Sequence, residues 1–440
     1  MVFPEDRTRD QVEASQVELL RGLISDLWEQ NPFWRAKLSN AGWDKSKALI
    51  ESLDNVASLS QLPLCTKQEL VDDQDRQQPY GTNLSSPINA YTRLHQTSGT
   101  TGRPLRWLDT AESWGRLLKS WEQIFRISGV LPEDRFCFPF SFGPFIGFWS
   151  AFEAAQQAGH LCLAGGGMSS ESRLRMIDEN SATVLCCTPT YALRLAEVAS
   201  VENRDLATGS VRMLIVAGEP GGSVPGVRGR IEKAWGARVI DHWGMTELGP
   251  VAVECDEAPG GMHILESDYV AEVIDPETLL PLPAGEQGEL VITTLGRGGS
   301  PVLRYRTGDL VVVDQQPCGC GRCLLRLDGG ILSRADDMIT IRGNNVFPSS
   351  IESVIRQVDA VSEFRVEVRT ERAMDHLVIQ VESATGANGE EVSAEVTAAI
   401  MRSLHFQVEV EAVAPGSLPR FELKGRRFFR GPQGETAMEN

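Results

Sequence analysis

Between about residues 130 and 240, short apolar strands alternate with helical segments, and this rhythm constrains the fold more than any other feature of the chain. Arg135-Phe-Cys-Phe138, Thr183-Val-Leu-Cys-Cys187 and Met213-Leu-Ile-Val-Ala217 are each followed by turn residues and then by a stretch of polar and apolar residues at helical spacing. Strands separated by helices pair in parallel and are covered on their faces, so the rhythm predicts α/β layers. From 268 to 315 the pattern becomes strand-rich, with Tyr269-Val-Ala-Glu-Val-Ile274, Gly288-Glu-Leu-Val-Ile-Thr293 and Leu310-Val-Val-Val-Asp314 separated by Gly and Pro, which predicts a small antiparallel barrel or sheet. Upstream, Val12, Val17, Leu20, Leu23, Ile24 and Leu27 recur at helical spacing and predict an opening amphipathic helix.

Gly329-Gly330 through Asp337 reads as a linker. Beyond it the pattern is strand, helix from Ser349, strands at 363–369 and 376–382, and a helix near 390–404. A chain of 440 residues is long for one hydrophobic core. The expected organisation is a large multi-layer N-terminal domain over 1–334, combining parallel α/β layers with the antiparallel region, and a mobile small α+β domain over 335–440.

His95-Gln-Thr-Ser-Gly-Thr-Thr-Gly-Arg-Pro104 interleaves hydroxyl residues with glycines. Gly99 and Gly102 let backbone N–H groups approach phosphate oxygens, and Thr97, Ser98, Thr100 and Thr101 add hydroxyl donors. ATP is therefore the first substrate to consider. The loop is no Walker A motif, because Gly102 is followed by Arg103 and Pro104 in place of the Lys and Ser/Thr that such a motif requires. Taken alone, such a stretch also describes a plain surface loop.

Its companions decide between these. Asp241-His-Trp-Gly-Met-Thr-Glu-Leu-Gly249, Tyr305-Arg-Thr-Gly-Asp-Leu310, and Ser333-Arg-Ala-Asp-Asp-Met-Ile-Thr-Ile-Arg-Gly343 running on to Pro348 and Glu352 follow in order, with a weaker fifth block at Pro419-Arg-Phe-Glu-Leu-Lys-Gly425. Together they resemble the adenylate-forming superfamily of acyl-CoA synthetases, luciferases and adenylation domains. Asn31-Pro-Phe-Trp-Arg-Ala-Lys37, Leu62-Pro-Leu-Cys-Thr-Lys67, Thr188-Pro-Thr-Tyr191 and Ile341-Arg-Gly-Asn-Asn-Val-Phe-Pro348 are similar to blocks of its phenylacetate-CoA ligase family. The resemblance covers nearly the whole chain.

That resemblance implies an ATP-dependent activation of a carboxylic acid to acyl-AMP, followed by transfer to coenzyme A. It places Ser98, Thr100 and Thr101 on the β- and γ-phosphates with Gly99 and Gly102 in the same loop, Thr246 on the α-phosphate, and Glu247 on a magnesium ion. Asp309 would take both ribose hydroxyls, a task suited to a carboxylate. Gly218, Glu219 and Pro220 would line the adenine pocket, and Asp241 and Arg342 would also face the nucleotide. Lys424 would bridge the acyl carboxylate and the α-phosphate, and Asp336 would be the hinge of the small domain. The family usually has Gly before this lysine; here Leu423 precedes it and Gly425 follows.

For the acyl pocket the resemblance points to Phe140, Phe142 and Phe145 together with His242, Trp243, Gly244 and Met245. Aromatic residues suit a flat aryl acid. The family usually has Ile-Tyr-Gly where this chain has His242-Trp243-Gly244, and His242 would put a donor or acceptor near a hydroxyl- or amino-bearing ring. Core packing is the alternative for each of these side chains.

Cys318, Cys320 and Cys323 lie in Pro-Cys-Gly-Cys-Gly-Arg-Cys, and Cys255 stands eight residues before His263. In a cytosolic chain this clustering favours zinc over disulfides. Cys255, His263, Cys318 and Cys320 would make a closed structural Cys3His site, and spacing leaves open whether Cys323 replaces one of them.

A formal charge of −18 argues against nucleic acid or an anionic membrane as partner, since both call for basic patches. The first residues include Glu5 and Asp6, unlike a basic leader, and no apolar run approaches membrane-spanning length, so a cytoplasmic location is expected. The expected partners are a small carboxylic acid and coenzyme A, with a carrier-protein phosphopantetheine or an amine as the alternative acceptor and a homodimer as a possible assembly. A catalytically silent nucleotide-binding protein is the reading from a different class.

Overall fold

The computed structural model describes residues 3–43, 50–97, 104–335, 339–341, 344–371, 374–421, 425–431 and 436–437. They fall into two compact units, 1–166 with 240–331, and 167–239 with 332–440.

In the first unit, helix Arg9–Gln30 opens on a capping box between Thr8 and Gln11 and buries Val12, Leu20, Leu23, Ile24 and Leu27, as the spacing predicts. Gln16 is buried where Val17 was expected, because its amide donates to the Tyr269 carbonyl at 2.8 Å. Strands Arg135–Phe138 and Leu161–Ala164 pair in parallel around helix Trp149–Gln157, giving one βαβ element. A run of strands in the order 269–274, 287–294, 305–313, 326–334, 261–264, 249–254 and 238–245 supplies the expected antiparallel region. Gly329 and Gly330, read from sequence as the start of a linker, belong instead to strand Arg326–Arg334. Their φ angles of +71° and +69° explain the glycines, and the Gly329 N–H donates to the Gly260 carbonyl at 2.9 Å, which holds the segment on the sheet.

In the second unit, strands Val184–Cys187 and Met213–Val216 pair in parallel and are fully buried. Helices Pro189–Val201 and Pro225–Trp235 follow them. Residues beyond 339 form a seven-stranded sheet in the order 344–346, 339–341, 374–383, 361–371, 428–430, 436–437, with 409–413 also on 374–383. Helices Pro348–Arg356 and Gly389–Leu404 cover it, and Ile351, Ile355, Phe364, Val366, Ile379, Val396, Ile400 and Phe428 fill the core. This region packs onto segment 167–239: a Cβ on Gly226 would come within 3.1 Å of the Arg356 backbone, so a side chain there would push the two helices apart by a few tenths of an ångström.

Candidate active site

The glycine-rich loop is carried by a hairpin. Strands Tyr91–Gln96 and Arg106–Thr110 pair antiparallel, and reciprocal bonds of 3.0 Å, Thr97 N–H to the Leu105 carbonyl and Leu105 N–H to the Thr97 hydroxyl, close its stem. Ser98, Gly99, Thr100, Thr101 and Gly102 lie outside the described residues, as do Asp336, Arg342 and Lys424. The Gln96 N–H donates to the Pro144 carbonyl at 2.7 Å, tying the stem to the aromatic segment.

Two of the motifs are joined in the first unit. Glu247 is 2% exposed, and its carboxylate accepts from the Tyr305 hydroxyl at 3.4 Å. The carbonyl of the preceding residue, Thr246, accepts from Arg297 Nη1 at 2.7 Å. Arg297 is itself held by Asp109 through bonds of 2.7 and 2.5 Å. Neither Arg297 nor Asp109 lies in a motif, and their separation of 188 residues leaves no local signal by which to find them.

Asp309 is placed by a bulge. Opposite Leu290 the strand Tyr305–Val313 carries extra residues: Gly308 turns at φ +76°, its N–H donates to Glu289 at 3.1 Å, and the Thr307 hydroxyl donates to the Leu290 carbonyl at 2.8 Å. The Asp309 N–H donates back to the Thr307 hydroxyl at 3.0 Å, and the residue is buried. Asp241 is also buried, with its N–H on Glu254 at 3.0 Å.

His242 is buried with its Nδ1 2.8 Å from the Ala252 carbonyl and its ring 4.6 Å from that of Trp121. The carbonyl selects the tautomer protonated on Nδ1, which leaves Nε2 as an acceptor. Burial depresses the imidazole to about 4 despite the opposing carbonyl, so it is neutral near pH 7. Trp243 and Met245 are half-buried, and Gly244 is exposed. Phe140 packs on Phe142, Phe145 and Phe148 with ring centroids 4.5, 6.1 and 6.1 Å away. Phe142 takes a positive φ of 51°, an uncommon backbone state for a bulky residue.

Cys255, His263, Cys318 and Cys320 offer ligand atoms that all lie within 4.8 Å of one another. The Cys255 and Cys318 sulfurs are 3.7 Å apart, and Cys320 Sγ is 3.3 Å from His263 Nε2. A tetrahedral ion with metal–sulfur bonds of about 2.3 Å needs a sulfur–sulfur edge of about 3.8 Å, so the spacing fits zinc. His263 Nδ1 lies 3.3 Å from the Leu324 carbonyl, which orients the ring, and burial holds it neutral with a value near 4. Burial and the neighbouring thiols push Cys255 up to about 12. At Cys320 burial acts the same way, but hydrogen bonds from Arg322 and Cys318 bring the thiol below its ordinary value. Cys323 is exposed and outside the group of four.

In the second unit Gly218 and Pro220 are exposed and Glu219 is half-buried. Glu219 Oε1 accepts the Thr190 N–H at 2.7 Å, and Oε2 accepts the Gly425 N–H at 2.6 Å.

The family model of AMP-binding enzymes matches residues 3–296, and that of the AMP-binding enzyme C-terminal domain matches 343–430. The chain belongs to the AMP-binding enzyme family. It is 31% identical to the phenylacetate-coenzyme A ligase of Thermus thermophilus over 387 residues, which is 87% of this chain and 84% of that protein. It is 30% identical to the Escherichia coli phenylacetate-coenzyme A ligase over 438 residues, covering 97% and 96%. Among solved structures, 2-hydroxyisobutyryl-CoA ligase in the postadenylation state with 2-HIB-AMP matches with TM-score 0.91 at 29% identity, over 97% of this chain and 91% of that one. The same ligase with 2-HIB-AMP and CoA in the thioesterification state matches with TM-score 0.73 over the same shares. Among the described residues, no helix is long and apolar enough to cross a membrane.

Proposed function

We propose that the protein is an AMP-forming acid–thiol ligase acting on a small aryl acid. A carboxylate oxygen of the acid attacks the α-phosphorus of ATP, pyrophosphate leaves with the bond electrons, and acyl-AMP forms. The thiol of coenzyme A, losing its proton, then attacks the acyl carbon and expels AMP. The observation that carries this reading is the joining of the Thr246-Glu247 and Tyr305-to-Asp309 motifs through the Tyr305 hydroxyl, with Arg297 on the Thr246 carbonyl.

Bringing a carboxylate to a triphosphate sets like charges against each other, so the site needs positive charge and metal. Glu247 is a buried carboxylate whose hydrogen-bond partner among the described residues is a neutral phenol, which fits a magnesium ligand. Magnesium there would offset phosphate charge. Thr246 would contact the α-phosphate, Asp309 the ribose hydroxyls, and Ser98, Thr100 and Thr101 the outer phosphates. Gly218 and Pro220 would flank the adenine. Lys424 would supply the cation of the first step, Asp336 the hinge and Arg342 a nucleotide contact.

Neutral His242, with Nε2 left as an acceptor, supports a ring bearing a hydroxyl or amino donor. Phe140, Phe142 and Phe145 would give the apolar wall, with Trp243, Gly244 and Met245 beside it. Cys255, His263, Cys318 and Cys320 would hold a structural zinc with no open position, and a cytoplasmic setting would keep these thiols reduced.

The test separates the two steps. Lys424→Ala should abolish acyl-AMP formation while sparing thioester formation from supplied acyl-AMP. Adenylation that survived this change would refute the role given to Lys424.

A further inference from the structure

The terminal block differs from its family pattern by carrying its glycine after the lysine, and the structure shows what that glycine does. The Gly425 N–H donates to Glu219 Oε2, while Glu219 Oε1 accepts the N–H of Thr190, the second residue of helix Pro189–Val201. That helix-terminal N–H has no partner within its own helix, so a carboxylate suits it. Thr190 in turn accepts through its hydroxyl from Arg427 Nη1 at 3.1 Å. Arg427 is 2% exposed and grips Glu363 with bonds of 2.7 and 3.0 Å. The result is a closed ring: Glu219, Thr190, Arg427, and the chain back through Arg426 to Gly425. A Cβ on Gly425 would run into Arg427 Nη1, so a side chain there would displace the arm that reaches Thr190.

We propose that Glu219 is a positioning residue for the first half-reaction: its carboxylate pins the backbone immediately after Lys424 to the start of helix Pro189–Val201. The inference rests on the acid–thiol ligase reading above. It replaces an adenine-contacting carboxylate with one whose two oxygens are both engaged in holding the chain. Because Gln can accept through one oxygen but presents an N–H₂ to the other N–H, Glu219→Gln removes one arm of the bridge at nearly constant volume. Glu219→Ala removes both.

The experiment measures, for wild type, Glu219→Gln, Glu219→Ala and Thr190→Val, the kcat of acid-dependent pyrophosphate release, the KM for ATP, and the rate of thioester formation from supplied acyl-AMP and coenzyme A. The expected result is a kcat loss of about 10-fold for Glu219→Gln and about 100-fold for Glu219→Ala, with thioester formation and KM for ATP within about twofold of wild type. Thr190→Val, which deletes only the acceptor for Arg427, should show the same split at smaller size. A raised KM for ATP with kcat retained would overturn the proposal in favour of adenine contact. Equal losses in both half-reactions, or no loss in any variant, would also overturn it. Wild type releasing no pyrophosphate with any acid would instead refute the ligase reading on which the inference stands.

Discussion

Arg297 and Asp109 form a fork-to-fork ion pair buried to 1% and 0% side-chain exposure, and the remaining arm of the guanidinium reaches the carbonyl of Thr246. Bidentate geometry lets such a pair offset its desolvation. It connects the strand below the glycine-rich loop to the residue expected at the α-phosphate.

Arg297→Met should therefore leave a buried, unpaired carboxylate and cost about 3–5 kcal/mol of stability. The double change Asp109→Leu with Arg297→Met should recover much of that loss but not the activity, because Thr246 would still lack its donor. Denaturant melts and pyrophosphate-release rates on the same samples check both halves. Recovery of activity together with stability would show that the pair acts only on folding.

Zinc should copurify at one ion per chain. Cys320→Ser should release it and lower stability by about 3 kcal/mol or more, several degrees in Tm for a unit of this size. Cys323→Ser should do neither, since that thiol lies outside the group of four. Metal analysis with thermal melts checks this, and zinc lost on changing Cys323 would move that residue into the ligand set.

His242 gives a pH dependence with a definite sign. Its folded value of about 4 lies below an unfolded value of about 6.5. The stability it contributes is complete above pH 6.5 and is lost as pH falls toward 4, by about 3 kcal/mol at that point. His95 and His263 are shifted in the same direction by burial, so a variant changed at 242 retains the slope that belongs to those two residues. His242→Ile should flatten the part of the stability-versus-pH curve that belongs to 242 and also weaken preference for hydroxyl- or amino-substituted acids. Unchanged slope and unchanged preference would refute the buried neutral assignment and the substrate reading together.

Much of this architecture was legible in the residues. Strand Tyr269–Ile274 and strand Arg135–Phe138 lie where their apolar runs end at Gly, Pro or charged residues, because local pattern and burial agree there. The motifs could be recognised because glycines, hydroxyls and carboxylates stand at fixed offsets in them, and the family models span the 95–104, 241–249 and 419–425 blocks. Gly329-Gly330 misled because two left-handed glycines suit a strand irregularity as well as a linker, and only the pairing with Gly260 distinguishes them. Asp109, Arg297 and the bridge from Glu219 to Gly425 were invisible because each joins residues far apart in sequence, through contacts that no local period encodes.

The central claim is tested most directly by incubating the purified protein with ATP, magnesium and a panel of aryl and aliphatic acids, and following pyrophosphate with and without coenzyme A. The account predicts release that depends on an aryl acid, with a thioester appearing only when coenzyme A is present. No release across the panel, or release indifferent to the acid, would contradict it.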